Sequence, residues 1–153
     1  MTLRSGSRDT ARAMSQENVE FVRNVYAMLD RGDAKLWDLL PADFIFDFSQ
    51  LLTGPGILRR DSARAEYDRM RHEFEQGRVG WAAEQLIDAG NKVLAFTRMS
   101  ARENSGDVVV STHSWSVWTF RDGKPVEWTY FGHHRSEALE AVGLSEQDAH
   151  PDS

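Results

Sequence analysis

Four side chains stand where proton chemistry is feasible. Asp47 is the one carboxylate set among aromatic rings, between Phe46 and Phe48, where loss of water would raise its pKa toward the range of a general base. Arg98 alternates with Leu94, Phe96 and Ser100, and an arginine turned inward on such a strand would stabilise developing negative charge. Tyr130 and His134 belong to "HSWSVWTFRDGKPVEWTYFGHH", residues 113–134, which holds three of the five tryptophans and three of the five histidines. Asp47 or His134 would move the proton, with Arg98 and Tyr130 holding the charge. Each has a plainer reading: Asp47 turned away from its phenylalanines, Arg98 reaching to solvent, His134 exposed at a strand end.

The same stretch reads as a β-hairpin around Asp122-Gly123. A two-residue type I′ loop would set Trp118 opposite Glu127 and put Trp118 and Trp128 on opposite faces. A type I turn at Arg121-Asp122 with Gly123 as a left-handed bulge shifts the pairing by one, so that Trp118 opposes Val126 and Ser116 opposes Trp128. The second register is preferred, because it gathers the large apolar groups on one face. The inner wall then carries Ser114, Ser116, Trp118, Trp128 and Tyr130. Small hydroxyls among large rings suit a cavity better than a solid core. Phe96 and Ser100 on the preceding strand join this wall. The outer face, with His113, Trp115, Val117, Thr119 and Phe131, is too apolar to be left in water, and a second copy related by a two-fold axis is the economical cover.

The elements that must position these groups follow from periodicity. Val19, Val22, Tyr26 and Leu29 recur at helical spacing, with Ser15 as the cap and Gly32 as the stop. Asp33 caps a short second helix that Pro41 ends, and "DFIFDFS" is a strand with Phe44, Phe46 and Phe48 on one face. "LLTGPGILRR" reads as a loop, and Asp61 opens a third helix running to Gln76. Residues 79–88, 92–103, 107–120 and 125–133 then alternate with period two as four strands, followed by a short helix from Arg135 to Val142. Helices first and an antiparallel meander afterwards make an α+β domain over residues 14–146. Residues 1–13 read as a disordered tail, with Met14 a second candidate start, and 147–153 as a C-terminal tail.

The chain has 153 residues and a net charge of −6. An acidic body argues against nucleic acid as a partner, which would need clustered Lys and Arg. No apolar run reaches the roughly 20 residues of a membrane span, and the opening lacks the apolar core of a secretory signal. Cysteine is absent, which removes disulfides, thiolate metal sites and Cys nucleophiles and fits a cytoplasmic location. His133 and His134 point opposite ways on one strand, so no metal is expected. No cofactor motif is present.

"MSQENVEFVRNVYAMLDRGD", "FDFS", "LIDAGNKVLAFTRMSAR", "VWTFRDGKPVEW" and "RSEALEAVGLSE" together resemble bacterial SnoaL-like proteins of the nuclear transport factor two-like superfamily. The resemblance implies a curved antiparallel sheet wrapped around three N-terminal helices as a cone, a pocket in its open end, and a homodimer. It does not fix the chemistry, since isomerases, polyketide cyclases, dehydratases, epoxide hydrolases and non-catalytic modules share the cone. The epoxide-hydrolase pattern of Arg-x-Asp and Trp-x-Asp meets Arg98-x-Ser100 and Trp128-x-Tyr130 here, with both carboxylates missing, which disfavours that reaction. The ketosteroid-isomerase pattern meets Tyr26 near its tyrosine, Ser116 in place of its oxyanion aspartate and Phe48, beside Asp47, near its base. SnoaL-type cyclases imply an aspartate on the inner sheet face, and none falls there. The expectation is a pocket protein acting on a small hydrophobic molecule by cofactor-independent proton transfer, as an isomerase, cyclase or dehydratase, with a non-catalytic small-ligand-binding or dimerisation module as the alternative.

Overall fold

The structure is a computed structural model that describes residues 2–73, 79–102 and 108–145. A long helix α1, Thr2–Asp30, leads to a short 3-10 helix, Ala34–Leu39. Two three-residue strands follow, β1 at Ile45–Asp47 and β2 at Ile57–Arg59, then helix α2 at Arg60–Glu73. Four long strands complete the sheet: β3 Val79–Ala89, β4 Lys92–Arg102, β5 Val108–Arg121 and β6 Lys124–Gly132. Helix α3, Arg135–Ala141, ends the described chain. Among the described residues no helix is long and apolar enough to cross a membrane.

The six strands form one curved sheet in the order β2-β1-β6-β5-β4-β3, an α+β cone as expected. Three details differ from the sequence reading. Helix α1 begins at Thr2 rather than at Ser15: the Ser15 hydroxyl donates back to the Arg12 carbonyl at 3.0 Å inside the helix, so it does not cap one. Residues 57–59, read as loop, pair with β1. And β1 runs parallel to β6, with Phe46 opposite Trp128, so the sheet is not wholly antiparallel. The expected ends of the third helix and of the chain lie outside the described residues.

Helix α1 stops where expected. Gly32 adopts φ +69°, and the bonds Asp33 N–H to Met28 O and Gly32 N–H to Leu29 O close the last turn. The Asp33 side chain then accepts from Lys35 N–H and starts the 3-10 helix. This hairpin lays Val22, Val25 and Tyr26 with Leu36, Trp37 and Leu40 against Val93, Ala95 and Trp118 of the sheet, forming the main core.

The last hairpin reaches the expected wall by the other route. Asp122 and Gly123 both have positive φ, at 54° and 77°, and Arg121 pairs with Lys124, which is the two-residue type I′ loop. The parity is restored three residues later. Phe120 pairs with Pro125 and Thr119 with Glu127, leaving Val126 as an extra residue on β6. Proline cannot donate to the ladder, so a bulge forms beside it. Trp118 is therefore opposite Trp128, and both rings turn toward the helices.

Part of the outer face is covered within the chain. Trp115, Val117, Phe131 and Leu94 pack with Ala138 and Leu139 of α3 in a second buried cluster. Of the strip that argued for a second copy, α3 covers Trp115, Val117 and Phe131, while His113 stays about half exposed. Leu139 is 1% exposed, and Leu139→Ala is expected to lower unfolding free energy by about 2–5 kcal/mol, measured by urea denaturation, with the midpoint falling and the slope unchanged.

Candidate functional site

Between the helices and the concave side of the sheet lies a cavity of about 430 Å³, within the range of small-molecule sites. One wall is aromatic. Trp37 meets Phe46 and Tyr67, Phe46 and Phe48 both meet Trp128, and Trp128 meets Tyr130, with ring centroids 5.2–6.1 Å apart. Alternation on β1 and β6 supplies the rings from the sheet, and Pro41 directs the chain from the 3-10 helix back into β1. Gly54 and Pro55 of the β1–β2 loop line the rim.

At the inner end stands Tyr26, 4% exposed. Its oxygen accepts from Trp118 Nε1 at 3.1 Å and Trp128 Nε1 at 3.4 Å, and lies 3.1 Å from Ser116 Oγ. A phenol oxygen has two lone pairs and one proton. With both lone pairs taken by indoles, its own proton is left for Ser116. Burial pushes the Tyr26 pKa above the ordinary tyrosine value, a rise that its hydrogen bonds only offset. The group is a neutral phenol at physiological pH. Tyr67 is also pushed up by burial, with the Arg71 guanidinium opposing.

The structure brings together five of the expected site residues: Tyr26, Ser114, Trp118, Trp128 and Tyr130 all line the cavity. Ser116, 1% exposed, stands behind them as the partner of Tyr26. Five others are elsewhere. Strand β4 has the opposite parity to the one expected: Thr97 pairs with Ser114 and Met99 with Thr112, and it is Thr97 and Met99 that line the pocket. Phe96 accordingly faces outward, stacked on His113 and against Trp115. Arg98 is on the same outer face, half exposed, 3.7 Å from Glu84. Ser100 is outside the pocket lining, its hydroxyl directed at Gly80, where an added Cβ would meet it at 3.1 Å. Asp47 turns from the phenylalanines and accepts from Ser49 N–H at 2.8 Å, holding the turn after β1. His134 is exposed and precedes α3, with its carbonyl accepting from Ala138 N–H.

Sequence reasoning missed Trp37, Tyr67, Trp81, Thr97 and Glu66, all of them pocket residues. The β4 residues had a usable signal: Thr97 is the small hydroxyl that matches Ser114 across the pair, and their oxygens are 3.2 Å apart. Among the described lining residues the only charged side chains are Glu66 and Arg69, joined at 2.9 Å and about half to two-thirds exposed.

A family model described as SnoaL-like domain matches residues 22–128. Among solved structures the chain is similar to Bal32a from a soil-derived mobile gene cassette, at 19% identity, covering 76% of this chain and 89% of that one with a TM-score of 0.63. It is similar to a candidate SnoaL-like polyketide cyclase from Jannaschia sp. CCS1, at 19% identity over 76% and 85% with a TM-score of 0.62. TerC, co-crystallised with polyporic acid, is 18% identical over 82% and 97% with a TM-score of 0.60. At these identities the likeness carries the fold. No curated protein sequence matches the chain.

The Tyr26 arrangement yields two expectations. Tyr26→Phe leaves two buried indole N–H groups without an acceptor, and should cost about 2–4 kcal/mol of stability by denaturant unfolding. Because the folded-state pKa of Tyr26 lies above the unfolded one, stability is retained below about pH 10 and falls as pH rises beyond it. A stability profile from pH 8 to 12 should show that alkaline slope, and a shallower one in Tyr26→Phe.

Proposed function

The chain belongs to the SnoaL-like domain family, and from that footing we propose that its cavity binds a small, flat, uncharged hydrophobic molecule. One observation carries this reading: a chamber of about 430 Å³ is walled by aromatic rings and hydroxyls, and the only charged pair among the described lining residues is mutually neutralised and open to water. A charged ligand would lose its hydration without gaining a counter-charge. A planar apolar ligand loses nothing comparable and gains ring contacts with Trp37, Phe46 and Trp128.

Proton-transfer chemistry is the second reading, and its support is Glu66, the one carboxylate among the described pocket-lining residues. Asp47, Arg98 and His134 are positioned for other contacts, so an acid–base pair here would be Glu66 with Tyr130. Binding without chemistry asks less of the site.

Four of the five tryptophans line the cavity, so occupancy is directly visible. Titration with the neutral probe N-phenyl-1-naphthylamine should quench tryptophan emission and saturate at one molecule per chain. Met99→Arg, which introduces a cation at the cavity wall, should abolish that binding while the far-UV circular dichroism is retained. Absence of saturable binding to the native chain would overturn the pocket function. On the second reading an identified ligand is turned over and Glu66→Gln should slow that turnover at least tenfold, whereas on the first the bound ligand is recovered unchanged.

A further inference from the structure

The exposed members of the chamber lining mark its mouth. Among the described residues they are Thr53, Gly54 and Pro55 of the β1–β2 loop and Glu66 and Arg69 of α2. The loop is closed at its base, where Phe48 N–H donates to Gly56 O at 2.8 Å, and Leu51 N–H donates to Phe48 O at 3.0 Å. Two further points are fixed. Leu51 rests against the end of β6, its Cδ2 lying where a Cβ added to Gly132 would meet it at 3.3 Å. Gly54 is pressed against Phe48, whose carbonyl oxygen an added Cβ would meet at 3.1 Å.

Between those points stands a tip of two residues, 52 and 53. Neither makes a backbone–backbone hydrogen bond among the described residues, and segments so lightly tied rearrange at low cost. Their side chains are sorted against their chemistry. Thr53 lines the chamber, whereas Leu52 is wholly in water at 104% exposure. Leu51, Gly54 and Pro55 also line the chamber, so within residues 51–55 Leu52 alone is turned away. No other large apolar side chain among the described residues is as exposed; the next, Ile57, stands at 62%. Turning the tip exchanges Thr53 for Leu52 at the mouth. With an apolar molecule in the chamber, that exchange takes a leucine out of water and sets it against the ligand.

We infer that Leu52 is a ligand-contact residue, delivered by the tip of the β1–β2 loop as a lid that closes on an apolar occupant of the chamber. The inference rests on the pocket reading above and adds to it a second loop conformation and one contact outside the present lining.

Because Leu52 is fully exposed, its substitution separates binding from stability. Leu52→Ser should leave the thermal midpoint where it is and weaken N-phenyl-1-naphthylamine binding about fivefold, the factor given by taking roughly half a leucine side chain out of water. The chain has no cysteine, so Leu52→Cys supplies a single thiol. Iodoacetamide should alkylate it at the rate of a free peptide thiol in buffer, and at least threefold more slowly under saturating naphthylamine. Unchanged affinity in Leu52→Ser would overturn the lid, and so would alkylation indifferent to the probe, while binding by the native chain keeps the pocket reading intact. Protection that rises with protein concentration instead of with probe would place a second copy on Leu52 and overturn the lid as well. Failure of the naphthylamine to bind the native chain would remove the pocket reading and this inference together.

Discussion

A single buried oxygen organises the chamber. The phenol of Tyr26 receives the indole N–H groups of Trp118 and Trp128, which are 92 and 102 positions away in the chain, and faces Ser116. Each indole brings a large apolar area and one polar atom that must be satisfied wherever the ring is buried. Meeting both demands at one acceptor fixes the angle at which α1 lies across β5 and β6. The aromatic wall of the cavity follows from that placement of Trp128, because Phe46 and Phe48 both pack on its ring. The same saturation ties the Tyr26 oxygen to structural partners. Its lone pairs are occupied and its pKa is raised by burial.

The sheet has two separate tasks on its two faces. On the concave side, rings and hydroxyls leave a cavity that helices roof but do not fill. On the convex side, Trp115, Val117, Phe131 and Leu94 are sealed by α3, and the remaining positions form a polar fringe in which Glu84 accepts from His113 at 2.7 Å. Glu84 is at a bulge of β3, where the pairing skips from Ala83 to Gln85. A bulge at that point places the carboxylate beside Arg98 and His113 on the outer face, away from the chamber.

Much of the fold was legible because periodicity and capping are local. Gly32, Asp33 and Pro41 each act within a few residues of their own position, and the alternation from residue 79 onward marks four strands without reference to their partners. What failed to be legible was relative: which face a strand turns inward depends on its neighbours' register. The shared face of Trp118 and Trp128 was anticipated, yet by way of a bulge at Gly123, whereas the actual extra residue is Val126, beside a proline whose missing N–H was the overlooked cue. On β4 the alternation alone offers two equal parities. Choosing the one with Leu94 and Phe96 inward ignored that α3, once built, gives those side chains a buried place on the other side. The expected site residues on β4 went with that choice of face. Arg98 followed Phe96 outward, while Asp47 obeyed its alternation and became a turn-holding group.

The parallel pairing of β1 with β6 has a bearing on how the protein is made. A strand formed early in synthesis has its partner in the last strand to emerge, and Phe46 reaches Trp128 only then. Such non-local pairing slows folding, because chain closure must precede the contacts that reward it. Until β6 arrives, β1 has only the three-residue β2 to pair with and Phe46 lacks Trp128, a state open to association with other unfinished chains. Completion of the chamber therefore waits for the last strand, which supplies Trp128 and Tyr130 to its wall.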